Sequence, residues 1–90
     1  MLLLQKPMFR RAYKKLFPKQ RNAVDAEIRK IMDDPAIGEE KKQDLAGVFV
    51  HKFKIGKQQF LLSYMFDPET LTLLFLGVHE NYYRDLKRKR

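Results

Sequence analysis

The sequence lacks residue types on which several common kinds of site depend. Its 90 residues include no cysteine, no tryptophan and only two histidines. The absence of cysteine excludes a disulfide framework, a thiolate metal site and a cysteine nucleophile. The two histidines lie far apart and have no grouped carboxylates beside them, so we expect no metal site. The sequence contains neither a Gly-rich phosphate loop nor a nucleophile elbow, and we expect no small-molecule cofactor.

Long apolar runs are absent as well. No run approaches the roughly 20 residues of a membrane-spanning helix. The opening segment MLLLQKP is too short for a secretory signal, and its basic residue lies on the wrong side of the apolar residues. We therefore expect a cytoplasmic protein without a membrane partner.

The residues that are present predict one globular domain that spans residues 1–90. Hydrophobic residues make up 44% of the chain and include seven Phe and four Tyr, which is unlike a disordered composition. A chain of this length has no room for a second hydrophobic core.

The charge is strongly positive and unevenly distributed. Nineteen Lys and Arg against 11 Asp and Glu give a formal net charge of +8. Basic residues are concentrated in segments 6–21 and 84–90, whereas acidic residues gather in segment 33–44. Because such a charge attracts polyanions, we expect a nucleic acid or an acidic protein as partner. A solvated basic surface without a specific ligand is the alternative.

The first third of the chain predicts a strand and two helices. MLLLQK, which ends before Pro7, has the length of a short strand. PMFRRAYKKLF and PKQRNAVDAEIRKIMDD, which follow it, carry their apolar residues at helical spacing. Pro18 ends the first helix and can begin the second, because the residue before a proline avoids the α region. So short a joint predicts that the two helices pack antiparallel.

After a polar connection over residues 35–47, the period of the apolar residues changes to two. VFVHKFKI and QQFLLSYMF predict a hairpin with a Gly56–Lys57 turn, and LTLLFLGV predicts a central strand covered on both faces. The segment that starts at His79 has a helical pattern. The predicted fold is therefore α+β, in the order β-α-α-β-β-β-α, with both N-terminal helices on one face of a small antiparallel sheet.

Alternation along the hairpin separates two faces. The turn predicts four opposed pairs against the helices, namely Ile55–Gln58, Phe53–Phe60, His51–Leu62 and Phe49–Tyr64. We therefore interpret His51 as a histidine packed at the edge of the core. Lys52 and Lys54 lie side by side on the other face, about 7 Å apart at Cα, where we expect no acidic residue. They are either a functional pair or ordinary solvated lysines.

His79 is the other candidate, at the end of the last predicted strand. Its imidazole can donate or accept a proton at neutral pH. The alternative is that it is a helix cap or a surface residue.

Several segments together resemble the RelE/ParE superfamily of bacterial toxins, from about Phe9 to Arg88. They are the two-helix start, an L-x-G before a strand that contains K-x-K, an aromatic-rich returning strand, and LGVHENYYRDL. The resemblance implies a RelE-like fold and the toxin of a type II toxin–antitoxin module. The RelE-like branch enters the ribosomal A site and cuts mRNA there without a metal ion, because the 2′-hydroxyl of the RNA attacks the adjacent phosphate. Such an endoribonuclease (an mRNA interferase) inhibits translation and arrests growth.

The resemblance also assigns roles to individual residues. The K-x-K of the RelE-like pattern falls on Lys52 and Lys54, and the residues that handle protons fall on His79 and Tyr83, with Tyr82 as the alternative to Tyr83. All four are candidate catalytic residues. The candidate RNA- and phosphate-binding residues follow in the C-terminal segment and are Arg84, Lys87 and Arg88.

Two positions depart from the RelE pattern. Leu61 stands where RelE itself carries an arginine on the returning strand, and His79 stands in place of another arginine. The departures leave room for Arg84 as a different phosphate clamp. They also keep open a ParE-like toxin that acts on DNA gyrase, or a member that binds without catalysis.

The resemblance implies three macromolecular partners, which are a cognate antitoxin, mRNA in the ribosomal A site and ribosomal RNA. Such antitoxins pair a DNA-binding domain with a flexible segment that wraps the toxin. The positive charge of this chain fits an acidic segment. Phe9, Tyr13 and Leu86 are candidate contacts for its apolar anchors.

Overall fold

The computed structural model describes residues 1–42, 44 and 46–78. Two helices and five strands follow one another along this part of the chain. In chain order they are β1 (Leu2–Gln5), α1 (Pro7–Lys14), α2 (Pro18–Asp33), β2 (Glu39–Glu40), β3 (Phe49–Ile55), β4 (Gln58–Phe66) and β5 (Thr70–Val78). A short 3-10 turn, Pro35–Ile37, connects α2 to β2. The helix predicted from His79 onward lies outside the described residues.

Proline begins both helices, where its missing N–H costs nothing and its fixed φ suits the first helical residue. The N–H of Phe17, just before α2, donates to the side chain of Gln20 at 2.8 Å. Both helices bury one stripe against the sheet. The buried residues are Phe9 in α1 and Val24, Ile28 and Ile31 in α2.

The five strands form one sheet in the order β1-β5-β4-β3-β2. The pairs β2–β3, β3–β4 and β4–β5 are antiparallel, whereas β1 is parallel to β5. The predicted α+β class is confirmed, and so is the interior position of β5. The sheet is nevertheless mixed rather than wholly antiparallel. Strand β2 was not predicted, because two consecutive glutamates show no alternation of apolar residues.

The predicted register of the β3–β4 hairpin is confirmed. All four expected pairs are present, and Gly56 in the turn has a φ of 62°, a region that glycine enters without steric cost. Between β4 and β5 the pairing shifts by one residue, so that Ser63 opposes Phe75 while Tyr64 opposes Leu73. Leu74 is the extra residue of this bulge, which turns Phe75 to the face away from the helices.

The main core lies between the helices and one face of the sheet. Eleven buried residues form it, contributed by α1, α2 and strands β3, β4 and β5. Phe60, Leu62 and Tyr64 supply the β4 part, at the period of two that a strand imposes. Phe9 is only 1% exposed. It therefore belongs to the core. The prediction that Phe9 is a surface contact for a partner is wrong.

Tyr64 fastens the segment after α2 to the middle of the sheet. Its side chain is fully buried, and its hydroxyl donates to the carbonyl oxygen of Pro35 at 2.6 Å and accepts from the N–H of Gly38 at 3.0 Å. A Cβ at position 38 would lie 2.5 Å from this hydroxyl, so only glycine fits. Burial raises the pKa of Tyr64, which therefore stays neutral.

We predict that Tyr64→Phe lowers the free energy of unfolding by about 2 kcal/mol, because the part-buried N–H of Gly38 and carbonyl of Pro35 both lose the fully buried Tyr64 side chain as partner. Chemical denaturation measures the change. Tyr13→Phe is the matched control, since it removes the 2.8 Å bond to Asp25 at a partly exposed site. It should cost less than about 1 kcal/mol. Equal losses in the two variants would contradict the proposed role of Tyr64.

Candidate functional site

Lys52 and Lys54 lie on the face of β3 that is turned away from the helices. Both side chains are exposed, while Phe53 between them is buried in the main core. Successive residues of a strand point to opposite faces. Packing of Phe53 therefore directs both ammonium groups toward the same side of the sheet.

An acidic residue also lies on this face, which corrects the expectation that none does. Glu39 of β2 opposes Val50 of β3, and opposed residues share a face. The carboxylate of Glu39 accepts from Nζ of Lys41 at 2.6 Å. This hydrogen bond and the positive charges of Lys41 and Lys52 lower the pKa of Glu39. The lysine pair thus continues into a larger charged cluster of Lys41, Glu39, Lys52 and Lys54.

Sequence reasoning missed Lys41 and Glu39, because they lie in a segment read as a polar connection. The available signal was that Glu39 and Lys41, which follow Gly38, are two residues apart, the spacing at which strand residues share a face. The backbone N–H of Lys41 donates to the carbonyl oxygen of Val48 at 2.8 Å, so pairing of β2 with the chain before β3 extends beyond Glu40.

Beside the charged cluster, the same face has an apolar floor. Val50 and Leu61 are buried there, and Phe75 packs against them. Leu61 opposes both Lys52 and Gly77, so these three residues form one row across β3, β4 and β5. Leu61 is 0% exposed. Position 61 therefore contributes a buried apolar side chain, and no cation, to the row that contains Lys52.

His51 is packed at the edge of the core, as the sequence predicts. Its Nε2 lies 2.7 Å from Oε1 of Glu27 on α2, and both side chains are mostly buried. The second carboxylate oxygen of Glu27 accepts from Lys30 at 3.0 Å. Burial alone raises the pKa of Glu27, but the hydrogen bonds from His51 and Lys30 and their charges outweigh it, so this pKa lies below its ordinary value. His51 therefore connects β3 to α2 on the side away from the lysines.

The remaining predicted site residues lie outside the described part of the chain. They are His79, Tyr83, Arg84, Lys87 and Arg88. The described part of β5 ends at Val78, opposite Phe60. Val78 is the last described residue of β5 and follows Gly77, which belongs to the row that contains Lys52.

Within residues 1–42, 44 and 46–78, no three His, Asp or Glu side chains are grouped so that they could hold a metal ion. No helix in this part of the chain is long and apolar enough to cross a membrane.

Residues 3–87 match the model of one protein family, described as ParE-like toxin of type II bacterial toxin–antitoxin system. No match was found among curated protein sequences.

Solved structures share the fold at low sequence identity. The RelBE2 toxin–antitoxin complex from Mycobacterium tuberculosis contains a chain that is 23% identical, with a TM-score of 0.74 over 87% of this chain and 96% of that one. The isolated E. coli RelE toxin is 18% identical, with a TM-score of 0.66 over 99% and 98% of the two chains. The YoeB/ParE toxin from Agrobacterium tumefaciens is 17% identical, with a TM-score of 0.68 over 88% and 99%. These likenesses show that the RelE-like fold predicted from the sequence is correct.

We predict that Glu27→Gln lowers the free energy of unfolding by about 1 kcal/mol near neutral pH. Because folding lowers the pKa of Glu27, its stabilisation is present above the unfolded value of 4.5 and is lost as the pH falls through the lower folded value. The difference between parent and variant should therefore shrink from about pH 6 to about pH 3 in urea titrations.

The control for this titration is Glu40→Gln. Glu40 is exposed and makes no ion pair with the residues that the structure describes. Its variant should match the parent at every pH. A stability difference for Glu27→Gln that does not change with pH would contradict a charged Glu27 in the folded protein.

Proposed function

The chain belongs to the ParE-like toxin family of type II bacterial toxin–antitoxin systems, and we propose that it inhibits growth by cutting mRNA in the ribosomal A site. The observation that carries this proposal is the pair of exposed lysines on one face of β3. Their positions match the K-x-K of the RelE-like branch. In this account the toxin is an endoribonuclease that acts in the cytoplasm, where translation takes place.

The lysines have an electrostatic role in the proposed reaction. Two ammonium groups about 7 Å apart at Cα can both approach the oxygens of one phosphate. Negative charge on these oxygens grows as the pentacoordinate transition state forms, so fixed cations stabilise it more than the ground state. Lys52 and Lys54 are held by a strand whose alternate residues pack in the core. This packing fixes the backbone positions from which both side chains extend.

The bond changes in the proposed step involve only the RNA and protein side chains. The 2′-oxygen attacks the adjacent phosphorus while a base removes its proton. The bond from phosphorus to the 5′-oxygen breaks, and an acid protonates that leaving oxygen. The products are a 2′,3′-cyclic phosphate and a 5′-hydroxyl. We assign the proton transfers to His79 and Tyr83, since an imidazole titrates near neutral pH and a phenol can donate a proton to an alkoxide.

The basic C-terminal segment has a binding role in the proposal. Arg84, Lys87 and Arg88 contact phosphates of mRNA and of ribosomal RNA. Such contacts do not depend on the base sequence, and they weaken as salt concentration rises. The ribosome then supplies much of the orientation by presenting the codon.

A cognate antitoxin is the proposed protein partner. The RelBE2 complex, whose toxin chain shares this fold, is a toxin–antitoxin complex. A net charge of +8 favours a partner segment that carries acidic residues. Tyr13 and Leu86 remain candidate apolar contacts for that segment.

A ParE-like toxin that acts on DNA gyrase is the second candidate function. The observation that favours it is Leu61, a buried apolar residue beside Lys52 where RelE carries an arginine. A site without that cation has less charge to offer a phosphorane. The family model matched by the chain is also described as ParE-like.

We predict that Lys52→Ala, Lys54→Ala and His79→Ala each weaken growth inhibition at least about tenfold when the toxin is expressed without its antitoxin. The reason is loss of phosphate stabilisation or of proton transfer. Lys57→Ala is the matched control, because Lys57 is an exposed lysine in the turn of the same hairpin. It should stay fully toxic. Full toxicity of the three variants, at normal expression and folding, would remove the proposed site.

The two candidate functions give different molecular products. We predict that mapping of RNA 5′ ends after induction shows cuts within translated codons, and that gyrase supercoiling assayed in parallel is unaffected. Intact mRNA together with inhibited gyrase or broken DNA would support the ParE-like function and contradict the nuclease.

A further inference from the structure

A groove opens between helix α1 and the end of strand β5. Strand β1 pairs with β5 only as far as Leu73. Beyond that residue, α1 and the two residues that follow it lie beside β5 and leave a groove of about 530 Å³. We call this space the α1–β5 groove. Neither Lys52 nor Lys54 lines it.

One face of α1 forms a wall of the groove. Its positions are separated by three or four residues, the spacing that places side chains on one face of a helix. The residues on this wall are Met8, Arg11, Ala12, Lys15 and Leu16. A different face of α1 carries Phe9, which is buried in the main core. Packing of Phe9 therefore fixes which face of the helix is turned toward the groove.

The wall carries two cations. Arg11 and Lys15 are both exposed, and neither forms an ion pair within residues 1–42, 44 and 46–78. The described residues that line the groove include no Asp or Glu. Along the sequence, the first acidic residue is Asp25. The groove therefore has a positive rim that an anion can approach.

The floor of the groove is apolar and partly aromatic. Phe60 of β4 and Leu76 of β5 line it and are almost fully buried. The ring of Phe60 stacks on that of Phe53, with 5.9 Å between the ring centroids. Phe75 lines the groove as well, and a Cβ on Gly77 would lie only 3.0 Å from its ring. Glycine at position 77 thus leaves room for this ring.

The groove adjoins the face that carries the lysine pair. Gly77, which lines the groove, opposes Leu61, and Leu61 opposes Lys52. Two strand spacings separate Lys52 from Gly77, or roughly 10 Å at Cα. Phe75 also packs against Leu61 on the lysine side of the sheet. One single-stranded RNA is therefore long enough to contact both the lysines and the groove.

We propose that the α1–β5 groove binds a base of the RNA strand whose scissile phosphate lies at Lys52 and Lys54. Arg11 and Lys15 bind a phosphate beside that base, and the aromatic floor stacks with the base itself. Stacking on an aromatic side chain is favourable for every base, because each base has a flat π-face. This inference rests on the proposed nuclease function and adds a second contact between toxin and substrate.

Charge favours RNA over the C-terminal segment of the chain as the occupant. Residues 79–90 follow β5 directly, but they contain five Lys and Arg against two Asp and Glu. Their positive charge opposes the positive rim of the groove. An acidic protein segment would match the rim alone. An RNA strand matches the rim, the aromatic floor and the adjoining lysines together.

The lining also determines how selective the groove is. Among the described lining residues, only Arg11 and Lys15 carry strong hydrogen-bonding groups in their side chains. Both are donors on the rim, so the floor distinguishes bases by stacking area and not by hydrogen bonds. We therefore expect a purine to bind several-fold more tightly than a pyrimidine, without further discrimination.

Binding of a short single-stranded RNA to the full-length chain tests the proposal. The probe is a 2′-O-methylated oligonucleotide, which lacks the attacking hydroxyl, with 2-aminopurine in place of one adenine. Stacking quenches the fluorescence of 2-aminopurine. The signal should therefore fall on binding when the substituted base is the one that enters the groove, and it should change little at other positions.

Two double variants test the rim at equal net charge. Arg11→Ala with Lys15→Ala should weaken binding of this RNA at least about tenfold, because a phosphate loses both of its cations. Arg10→Ala with Lys14→Ala is the matched control. It also removes one Arg and one Lys from exposed positions of α1, but neither residue lines the groove. It should stay within about threefold of the parent.

A second pair of variants tests the floor. Phe75→Leu keeps an apolar side chain but removes the ring, so it should weaken binding about fivefold or more and reduce the quenching. Phe66→Leu is the control, since Phe66 is an exposed aromatic residue of β4 outside the groove. It should bind RNA like the parent. Thermal unfolding confirms that all four variants fold.

The lysine pair links this groove to the proposed reaction. Lys52→Ala with Lys54→Ala should also weaken binding of the same oligonucleotide, because one strand contacts both places. Growth inhibition should fall in the Arg11 and Lys15 double variant more than in its control. Unchanged RNA binding after loss of both lysines would show that the groove holds a different strand, and it would overturn the proposal.

Three further outcomes would overturn it. Equal weakening by the two double variants of α1 would show that net charge alone matters. Binding without quenching at every position of the 2-aminopurine would show that no base stacks. Unchanged RNA binding in the Arg11 and Lys15 double variant, together with weaker binding of the full-length product of the adjacent gene, would assign the groove to a protein partner.

These failures are distinguishable from a failure of the nuclease function. RNA mapping reports cleavage in cells, whereas the fluorescence assay reports binding to the isolated chain. Cuts within translated codons together with any of the contrary binding results would leave the nuclease intact and remove only the groove. Quenching that depends on Arg11 and Lys15, without cuts in any mRNA, would contradict the nuclease and the substrate assigned to the groove.

Discussion

The packing of Phe53 against the helices is the constraint on which the proposed site depends. Phe53 lies between Lys52 and Lys54, and its burial in the main core fixes which way β3 faces. A shift of register by one residue would bury both ammonium groups and expose the aromatic ring. The hydrophobic core and the charged face are therefore two consequences of one alternation. His51 lies two residues before Phe53 on the same face of β3, and its hydrogen bond to Glu27 on α2 supports the same orientation of the strand.

Strand β4 connects this face to the rest of the molecule. Five consecutive residues, 60–64, are buried on its two sides. One side fills the main core, and on the other Leu61 lies under the row that includes Lys52. The charged cluster thus rests on a strand that cannot move without disturbing both clusters of apolar residues. Such support fixes the backbone from which Lys52 and Lys54 extend.

The sequence predicted the parts of the fold that local patterns determine. Prolines marked where both helices begin, and Gly56 set the register that brings Phe53 opposite Phe60. Parallel pairing of β1 with β5 could not be predicted, because it joins the two ends of the described chain and leaves no local signal. The position of Glu39 on the face of the lysines could not be predicted either. Its pairing with Val50 of β3 decides which face it occupies, and the sequence around Glu39 carries no pattern that indicates this pairing.

In the proposed reaction Lys52 and Lys54 act on one phosphate, and a double-mutant cycle tests this shared role most directly. Cleavage rates of ribosome-bound mRNA would be measured for the parent, the two single alanine variants and the double variant. If both lysines hold the same group, the double variant loses less than the product of the two single losses, because residues that act as a unit are not additive. Losses that multiply, or a single variant that cleaves at the parental rate, would contradict the shared site.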